Sequence, residues 1–448
     1  MRERARYEKP IFFISVSEPL TCDATLALAL TLAGHVPVLA MASRSLPAPG
    51  PSLALVVMTG LVIMLNYIDR GAVSIAAPLI KDEMGLSNTD YGFVVSAFFW
   101  TYVPVLVLAG WLADRVSVWW LMAGGVAIWA AATLFMGFAG GLMTLIVLRL
   151  LMGIGEGVAF PCASKLMARA PEHRRGTANI ALSAGLALGP LVGTLLGGFI
   201  LARHGWRPMF VVFGLITLLW LVPWIWRRRE VDAPPVAGDA VAVSYGRLLR
   251  TKSLWALSIY HFSGTYVLYF VIAWLPLYLV KVRGYDIGDM ALLTAFFYVG
   301  QAAGAAFSGG VGDWFIARGR SASGVRRGIG LAASLVSAVG ILAIARTDTT
   351  LALMAWLVPT SIAIGTITGI LFVVGQTLAG TASAGRWVGT QTGFGNLSGV
   401  TGPVITGAIV DAAGYGPAFV VTAVIVVAGA LVFAVGVPRV EGVDWRPS

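Results

Sequence analysis

LALVVMTGLVIMLNYIDRGAVSIAAPLI, residues 53–80, has the length and apolar content of a membrane-crossing helix. Leu53 to Leu65 carries no Asp, Glu, Lys or Arg, and after Asp69 and Arg70 the chain returns to an uncharged run, Gly71 to Ile80. A helix rises about 1.5 Å per residue, so this stretch is longer than the roughly 30 Å hydrocarbon core of a bilayer. Uncharged runs of the same kind fill Trp119 to Ala139 and Ala418 to Val437. The alternating strands of about ten residues that mark a transmembrane β-barrel are absent. Over the whole chain 58% of residues are apolar and 12% are charged. Soluble domains carry about twice that share of charge, so this chain has too little polar surface to cover a soluble fold.

The apolar runs predict helices over 53–80, 91–113, 119–139, 142–167, 176–201 and 208–226. A polar segment, 227–252, follows, and then helices over 253–280, 289–316, 329–345, 350–379, 389–412 and 416–437. An internal repeat divides the set. Ser96-Ala-Phe-Phe-Trp100 recurs as Thr294-Ala-Phe-Phe-Tyr298, and Gly110-Trp-Leu-Ala-Asp114 as Gly309-Gly-Val-Gly-Asp313. Gly176-Thr177 stands before Gly189-Pro190 as Gly389-Thr390 stands before Gly402-Pro403. Gly205-Trp-Arg-Pro-Met-Phe-Val-Val212 returns as Gly414-Tyr-Gly-Pro-Ala-Phe-Val-Val421. These matches keep chain order at offsets of 198 to 213 positions. The fold expected is an all-α membrane protein of twelve transmembrane helices in two six-helix pseudo-symmetric halves, 53–226 and 253–437. A linker, 227–252, joins them and a tail, 438–448, closes the chain.

The net charge of +10 does not point to nucleic acid, because of where the charges lie. Arg169, Arg174 and Arg175, then Arg227 to Arg229 with Arg247, Arg250 and Lys252, then Arg318, Arg320, Arg326 and Arg327 fill alternate gaps between helices. The intervening gaps are poorer in Lys and Arg. By the positive-inside rule the rich gaps and both termini are cytoplasmic, in a plasma membrane. Cys22 and Cys162 with four His residues form no metal-ligand pattern, and a structural disulfide is not expected. No metal, cofactor or enzymatic nucleophile is implied. Residues 1–52 are read as a disordered or wrongly assigned extension, with Met41 as a candidate true start; the apolar stretch 11–42 leaves a signal sequence or an extra helix as the alternative.

Ionisable groups at membrane depth are expensive and mark functional sites. Asp69 and Arg70 lie inside the first span, Arg149 and Glu156 inside the fourth. Asn66 and Tyr67 precede Arg70 by four and three residues and share its helix face, whereas Asp69 points about 100° away. Arg149 and Glu156 are two turns apart on one face. A guanidinium binds carboxylate bidentately and keeps its charge. A carboxyl in a low-dielectric cavity beside that Arg can take up and release a proton. The competing reading is a pair of buried salt bridges that only fix packing. Tyr102 in the second span and Asn396 in the eleventh are candidate substrate contacts, with interhelical hydrogen bonding as the alternative. His261, Tyr266, Tyr269 and Gln376 are the other polar groups at depth in the second half, and His261 reads as structural. Asp114 and Arg115 end the second span, where a carboxylate can dock on a helix amino terminus and hold one access state closed. Asp313 is their repeat counterpart.

Several of these stretches, in order, resemble the anion:cation symporter family of the major facilitator superfamily. They are Asn66-Tyr-Ile-Asp-Arg70, Ser96-Ala-Phe-Phe-Trp-Thr-Tyr102, Gly110-Trp-Leu-Ala-Asp-Arg115 and Arg149-Leu-Leu-Met-Gly-Ile-Gly-Glu-Gly-Val-Ala-Phe-Pro161, with Trp274-Leu-Pro276 and Phe394-Gly-Asn-Leu-Ser-Gly399 in the second half. The resemblance spans about residues 53 to 437. It implies the major facilitator fold and proton-coupled symport of a small organic anion by alternating access, in a monomer of a bacterial inner membrane. It assigns proton coupling to Asp69 and Glu156. Arg70 and Arg149 are assigned to substrate binding and that coupling, and Tyr67, Tyr102 and Asn396 to the lining of the site. Two departures stand out. Val116-Ser-Val-Trp-Trp120 replaces the usual Gly and basic residue after Asp114-Arg115, which implies a weaker gate. Leu186 stands where sugar-acid carriers often place a polar side chain, which implies a less hydroxylated substrate.

Overall fold

The computed structural model describes residues 51–448 except 114, 168, 170, 171, 233–243, 381, 382, 444 and 446–448, and only the backbone of 172–179 and 384. The extension expected at the amino terminus therefore lies outside the described residues, apart from Pro51 and Ser52. Ser52 belongs to the fold, because its hydroxyl caps the first helix by accepting from the Leu55 N–H at 3.2 Å.

The first half consists of α1 (Leu53–Met84), α2 (Asn88–Ala113), α3 (Val118–Met136), a fourth span, α6 (Glu172–His204) and α7 (Trp206–Ile225). The fourth span is broken at Val158 into α4 (Leu142–Gly157) and α5 (Ala159–Met167). Short helices α8 (Arg228–Val231) and α9 (Tyr245–Leu249) lie in the linker. The second half consists of α10 (Lys252–Lys281), α11 (Ile287–Ala317), α12 (Ala322–Ile344), α13 (Thr350–Ala379), α14 (Ala384–Ala413) and α15 (Tyr415–Gly436).

Among the described residues, eleven helices are long and apolar enough to cross a membrane. α14 makes the twelfth span by its position and length. It is less apolar because it carries Thr390, Gln391, Thr392, Asn396, Ser398 and Thr401 among its glycines, and it packs against α2, α10, α13 and α15. The observed ends agree with the sequence reading within a few residues except at α12, which begins seven residues earlier than expected. The basic run there looked like loop. Instead Ser321 caps the helix, and Arg326 and Arg327 reach out to Thr377 Oγ1 and to the Ala434 and Pro438 carbonyls at the ends of α13 and α15.

The halves meet in a pseudo-symmetric way: α2 packs on α14, α6 on α11, and α1 on α10. Along the first pair the approach is uneven. A Cβ on Gly407 would lie 2.4 Å from the Asn88 carbonyl oxygen, and one on Gly92 would lie 2.5 Å from that of Pro403. One on Gly399 would lie 2.5 Å from the Phe99 ring. Further along, a Cβ on Gly393 would meet Val107 only at 3.8 Å, and on Gly389, Gly385 and Gly110 it would meet nothing within 4 Å. The two helices thus touch at the end bearing Asn88 and splay toward the linker end, where Val107, Leu108 and Trp111 are exposed.

The linker end of the first half is fastened by α8. The Ser117 hydroxyl donates to Asp232, the Ser52 N–H donates to Glu230 Oε1 at 2.8 Å, and Arg169 donates to the Val231 carbonyl at 2.5 Å. Partial burial opposes ionisation of Glu230, yet the hydrogen bonds from Ser52 and Arg227 hold its carboxyl below the usual range. In the second half the tail folds back. The Val443 N–H and Trp445 Nε1–H donate to the Leu378 and Ala379 carbonyls at the end of α13, and the Ser383 hydroxyl also donates to that of Ala379.

Candidate functional site

Arg70 stands at the centre of the first half's inner face, one turn beyond Asn66 on α1. Its Nη2 donates to Asn66 Oδ1 at 3.0 Å, and its Nε donates to Glu156 Oε2 at 3.0 Å. Nη2 also lies 2.9 Å from the same Glu156 oxygen, with 13% of the Arg70 side chain exposed and none of the Glu156 side chain. Three rings surround the guanidinium: its carbon lies 4.5 Å from the Tyr102 centroid, 4.7 Å from Tyr67 and 4.9 Å from Phe98. Rings at this distance attract a cation and shield it from water. Glycines let the fourth span come close enough for the ion pair: a Cβ on Gly153 would lie 2.2 Å from the Phe98 carbonyl oxygen.

Arg149 shares the face of Glu156, as its spacing predicts, but does not pair with it. It is buried, its Nε donates to the Val94 carbonyl at 3.2 Å, and its guanidinium lies 4.7 Å from the same Phe98 ring that Arg70 faces. Two cations therefore flank one ring with one carboxylate between them. Arg149 Nη1, Glu156 Oε1 and Asn66 Nδ2 are buried without a hydrogen-bond partner among the described residues. Leaving such an atom unpaired costs about 1–3 kcal/mol, so a polar ligand reaching them would gain that hydrogen bonding.

Asp69 takes the opposite direction, as one residue's turn of helix requires. Its Oδ2 accepts from Trp129 Nε1–H at 3.0 Å and from the Thr217 hydroxyl at 2.9 Å, fully buried between α1, α3 and α7. It lies inside the first half rather than on the face of Arg70. Across the interface, the Tyr269 hydroxyl on α10 donates to Asn396 Oδ1 at 2.6 Å, and Asn396 Nδ2 donates to the Thr392 carbonyl at 2.8 Å. The Tyr269 ring packs 4.6 Å from Phe99, which adjoins Tyr102. The site is thus charged on the side of the first half and neutral on the side of the second.

Tyr67, Arg70, Tyr102 and Glu156 come together, with Arg149 behind them and Asn396 opposite. Tyr269 and Phe98 also belong to the cluster. Tyr269 appeared in the sequence only as one polar group among several, and Phe98 gave no signal beyond its place in the repeated Ala-Phe-Phe motif. His261 is buried with its Nδ1 3.1 Å from Gln391 Nε2, and Gln376 is exposed. At the linker end, Asp114 lies outside the described residues. Arg115 folds over the Trp111 ring at 4.1 Å, and Asp313 is exposed with no ion-pair partner among the described residues.

The sequence pattern of the Major Facilitator Superfamily matches residues 59–397. The chain is 30% identical over 413 residues to the probable sulfoacetate transporter SauU of Cupriavidus necator, covering 83% of this chain and 90% of that one. It is 28% identical over 418 residues to a D-galactonate transporter of Escherichia coli, covering 86% and 96%. It is 28% identical over 366 residues to a hexuronate transporter of Bacillus subtilis, covering 78% and 86%. Among solved structures, a bacterial homologue of the human lysosomal transporter Spinster, in an inward-facing and occupied conformation, superposes with a TM-score of 0.71 at 21% identity. That match covers 86% of this chain and 97% of the other.

Proposed function

The chain belongs to the Major Facilitator Superfamily, and from that premise we propose that it carries a small organic anion into the cell together with a proton. The observation that carries this reading is the Arg70–Glu156 pair. An arginine that cannot lose its charge sits in an aromatic surround, with a carboxylate partner that can. When Glu156 is ionised it occupies Arg70. When Glu156 takes a proton, its hold weakens and the guanidinium can receive a carboxylate or sulfonate in the bidentate geometry that suits it. Binding of the anion and protonation of Glu156 are thereby linked, and each favours the other. Asp69 supplies a second carboxyl for proton traffic. Arg149 raises the local positive potential, and Tyr67, Tyr102 and Asn396 line the site.

The relatives' named cargoes, sulfoacetate, galactonate and hexuronate, are all organic anions and support this class of substrate. The exposed Leu186 favours a less hydroxylated member of it. We place the basic-rich linker end, and both termini, in the cytoplasm of a bacterial inner membrane. The protein acts as a monomer, with halves at 53–226 and 253–437. The two halves rock about the midplane site, and Asp114, Arg115 and Asp313 gate the cytoplasmic mouth when it closes.

The test is uptake into proteoliposomes. A panel of monocarboxylates, aromatic acids, sugar acids and sulfoacetate is screened for thermal stabilisation of the purified protein, and stabilising anions are assayed under an inward proton gradient. Concentrative uptake that vanishes in Arg70→Ala and on collapse of the gradient is expected. Uptake indifferent to the gradient would make the protein a uniporter, and uptake indifferent to Arg70 would remove the anion site proposed here.

A further inference from the structure

The end opposite the linker is held shut by a contact that the chemistry at Arg70 does not use. α2 opens with Ser87-Asn-Thr-Asp90, a capping box: Ser87 Oγ accepts from the Asp90 N–H at 3.0 Å, and Asp90 Oδ2 accepts from the Ser87 N–H at 3.0 Å. That arrangement leaves the N–H groups of Asn88 and Thr89 without a partner in their own half. Asp411, in the last turn of α14 in the other half, takes both. Its Oδ1 accepts from the Asn88 N–H at 3.0 Å and from Asn88 Nδ2 at 2.7 Å. Its Oδ2 accepts from the Thr89 N–H at 2.7 Å and the Thr89 hydroxyl at 2.6 Å. One carboxylate thus makes four hydrogen bonds at the positive end of a helix, the geometry in which such bonds are strongest. Lys81 donates to Asn88 Oδ1 at 2.6 Å, and Lys281 of α10 pairs with Asp82 of α1 as a second, more exposed tie between the halves.

The pseudo-symmetric partner lacks this contact. The amino terminus of α11 is capped inside its own half, where Asp286 accepts from the Asp289 N–H at 2.8 Å. The contact between Asp411 and α2 is therefore one-sided. It lies directly above the stretch where Gly407, Gly92 and Gly399 let the two helices touch.

We propose that Asp411 is a gating residue: its carboxylate, seated on the amino terminus of α2, closes the outer mouth and sets the ratio of inward-open to outward-open carrier. Opening that mouth moves α14 away from α2, and all four hydrogen bonds break in the same step. Water replaces them, since Asp411 is exposed, so the bias amounts to severalfold rather than to an irreversible lock. Asp82 and Lys281 exchange their contact for water with little loss. The proposal rests on alternating access, which the superfamily supplies, and not on the identity of the anion or on proton coupling.

A reporter for the closed mouth lies beneath the contact. Ser74 on α1 is buried where the Tyr91 hydroxyl of α2 donates to the Ala273 carbonyl of α10 at 2.9 Å. In full-length protein carrying Cys22→Ser and Cys162→Ser, Ser74→Cys is labelled with a membrane-impermeant maleimide from outside, without substrate or gradient. Val107→Cys, at the linker end, is labelled in parallel from the cytoplasmic side. Asp411→Asn should raise labelling at position 74 about fivefold and lower it at position 107. Asp82→Asn should change either rate less than about twofold. Thr89→Val, which removes one of the four bonds and spares the carboxylate, should give a smaller rise at 74 and stands in if Asp411→Asn does not fold. Unchanged labelling at 74 in Asp411→Asn and Thr89→Val would overturn the proposal. So would a rise at both reporters, which would mean a loosened protein with no shift between states. Because no transport is measured, this result is independent of whether the anion and proton reading of Arg70 and Glu156 holds.

Discussion

Replacing Glu156 by Gln should make the protein bind its anion more tightly while ending its ability to concentrate that anion. Glu156 Oε2 accepts from Nε of Arg70 and lies 2.9 Å from its Nη2, so an incoming carboxylate must displace a carboxylate already in place. Hydrogen bonds to charged groups contribute about 1.5–3 kcal/mol net. The two contacts share one oxygen and count as little more than one strong bond, or about 2 kcal/mol. With the pair almost wholly out of water, solvent screening removes little of this. An amide accepts far more weakly than a carboxylate, so most of the 2 kcal/mol is returned to the ligand, about a 30-fold lower Kd at neutral pH. Protonation of Glu156 in the wild type has the same effect as the amide. Wild-type affinity should therefore rise on acidification toward that of Glu156→Gln, as long as the ligand stays ionised, while the variant's affinity stays flat. Isothermal titration in detergent, repeated across pH, reads both curves, and counterflow in proteoliposomes confirms that the variant still exchanges substrate. Weaker binding in Glu156→Gln, or a variant that keeps the wild-type pH dependence, would refute the competition between Glu156 and the ligand for Arg70.

Four further outcomes follow from the geometry. Tyr269→Phe removes the hydrogen bond to Asn396 Oδ1 and should raise the substrate Kd about fivefold with little change in thermal stability. Asp69→Asn keeps an acceptor for Trp129 and Thr217. It should fold with stability within about 1 kcal/mol of wild type in a detergent melt, yet lose gradient-driven accumulation. Trp445→Ala removes one of the two donors to the Ala379 carbonyl, leaving the Ser383 hydroxyl, and opens the packing against Trp387, and should destabilise the detergent-solubilised protein by about 1–2 kcal/mol. Gly92→Val places side-chain atoms against the Pro403 carbonyl. It should abolish closure of the outer mouth, seen as accessibility of Ser74→Cys and loss of net uptake.

Much of this was legible in the sequence because helices at membrane depth follow two simple rules, apolar length and the cost of charge. The 100° step between Asp69 and Arg70 correctly separated their surroundings, and the three- and four-residue spacings correctly put Tyr67 and Asn66 under the guanidinium. The partner of each charge was not legible. Arg149 and Glu156 share a helix face, as their spacing indicates, but spacing does not say that Glu156 turns to Arg70 and Arg149 to the Val94 carbonyl. That choice depends on how closely α1 and α4 approach α2, which glycine contacts set. Asp69 gave no hint of Trp129 and Thr217, since an indole and a hydroxyl in apolar helices look like core. Asp411 gave none either: its partners are more than 300 residues away, and a lone carboxylate at a helix end is ordinarily a solvated group.

The composition of α14 bears on how the protein is made. With Thr390, Gln391, Thr392, Asn396, Ser398 and Thr401 within a few turns, this segment has little tendency to partition into lipid by itself. Its polar groups find company on α10 and α13, where Gln391 bonds the Leu371 carbonyl and Ser398 the Thr265 hydroxyl. Insertion of α14 during synthesis thus depends on earlier helices waiting beside the translocation channel to receive it. Substitutions on α10 or α13 that leave the Arg70–Glu156 cluster untouched can therefore lower the amount of protein in the membrane by stranding a later helix outside it.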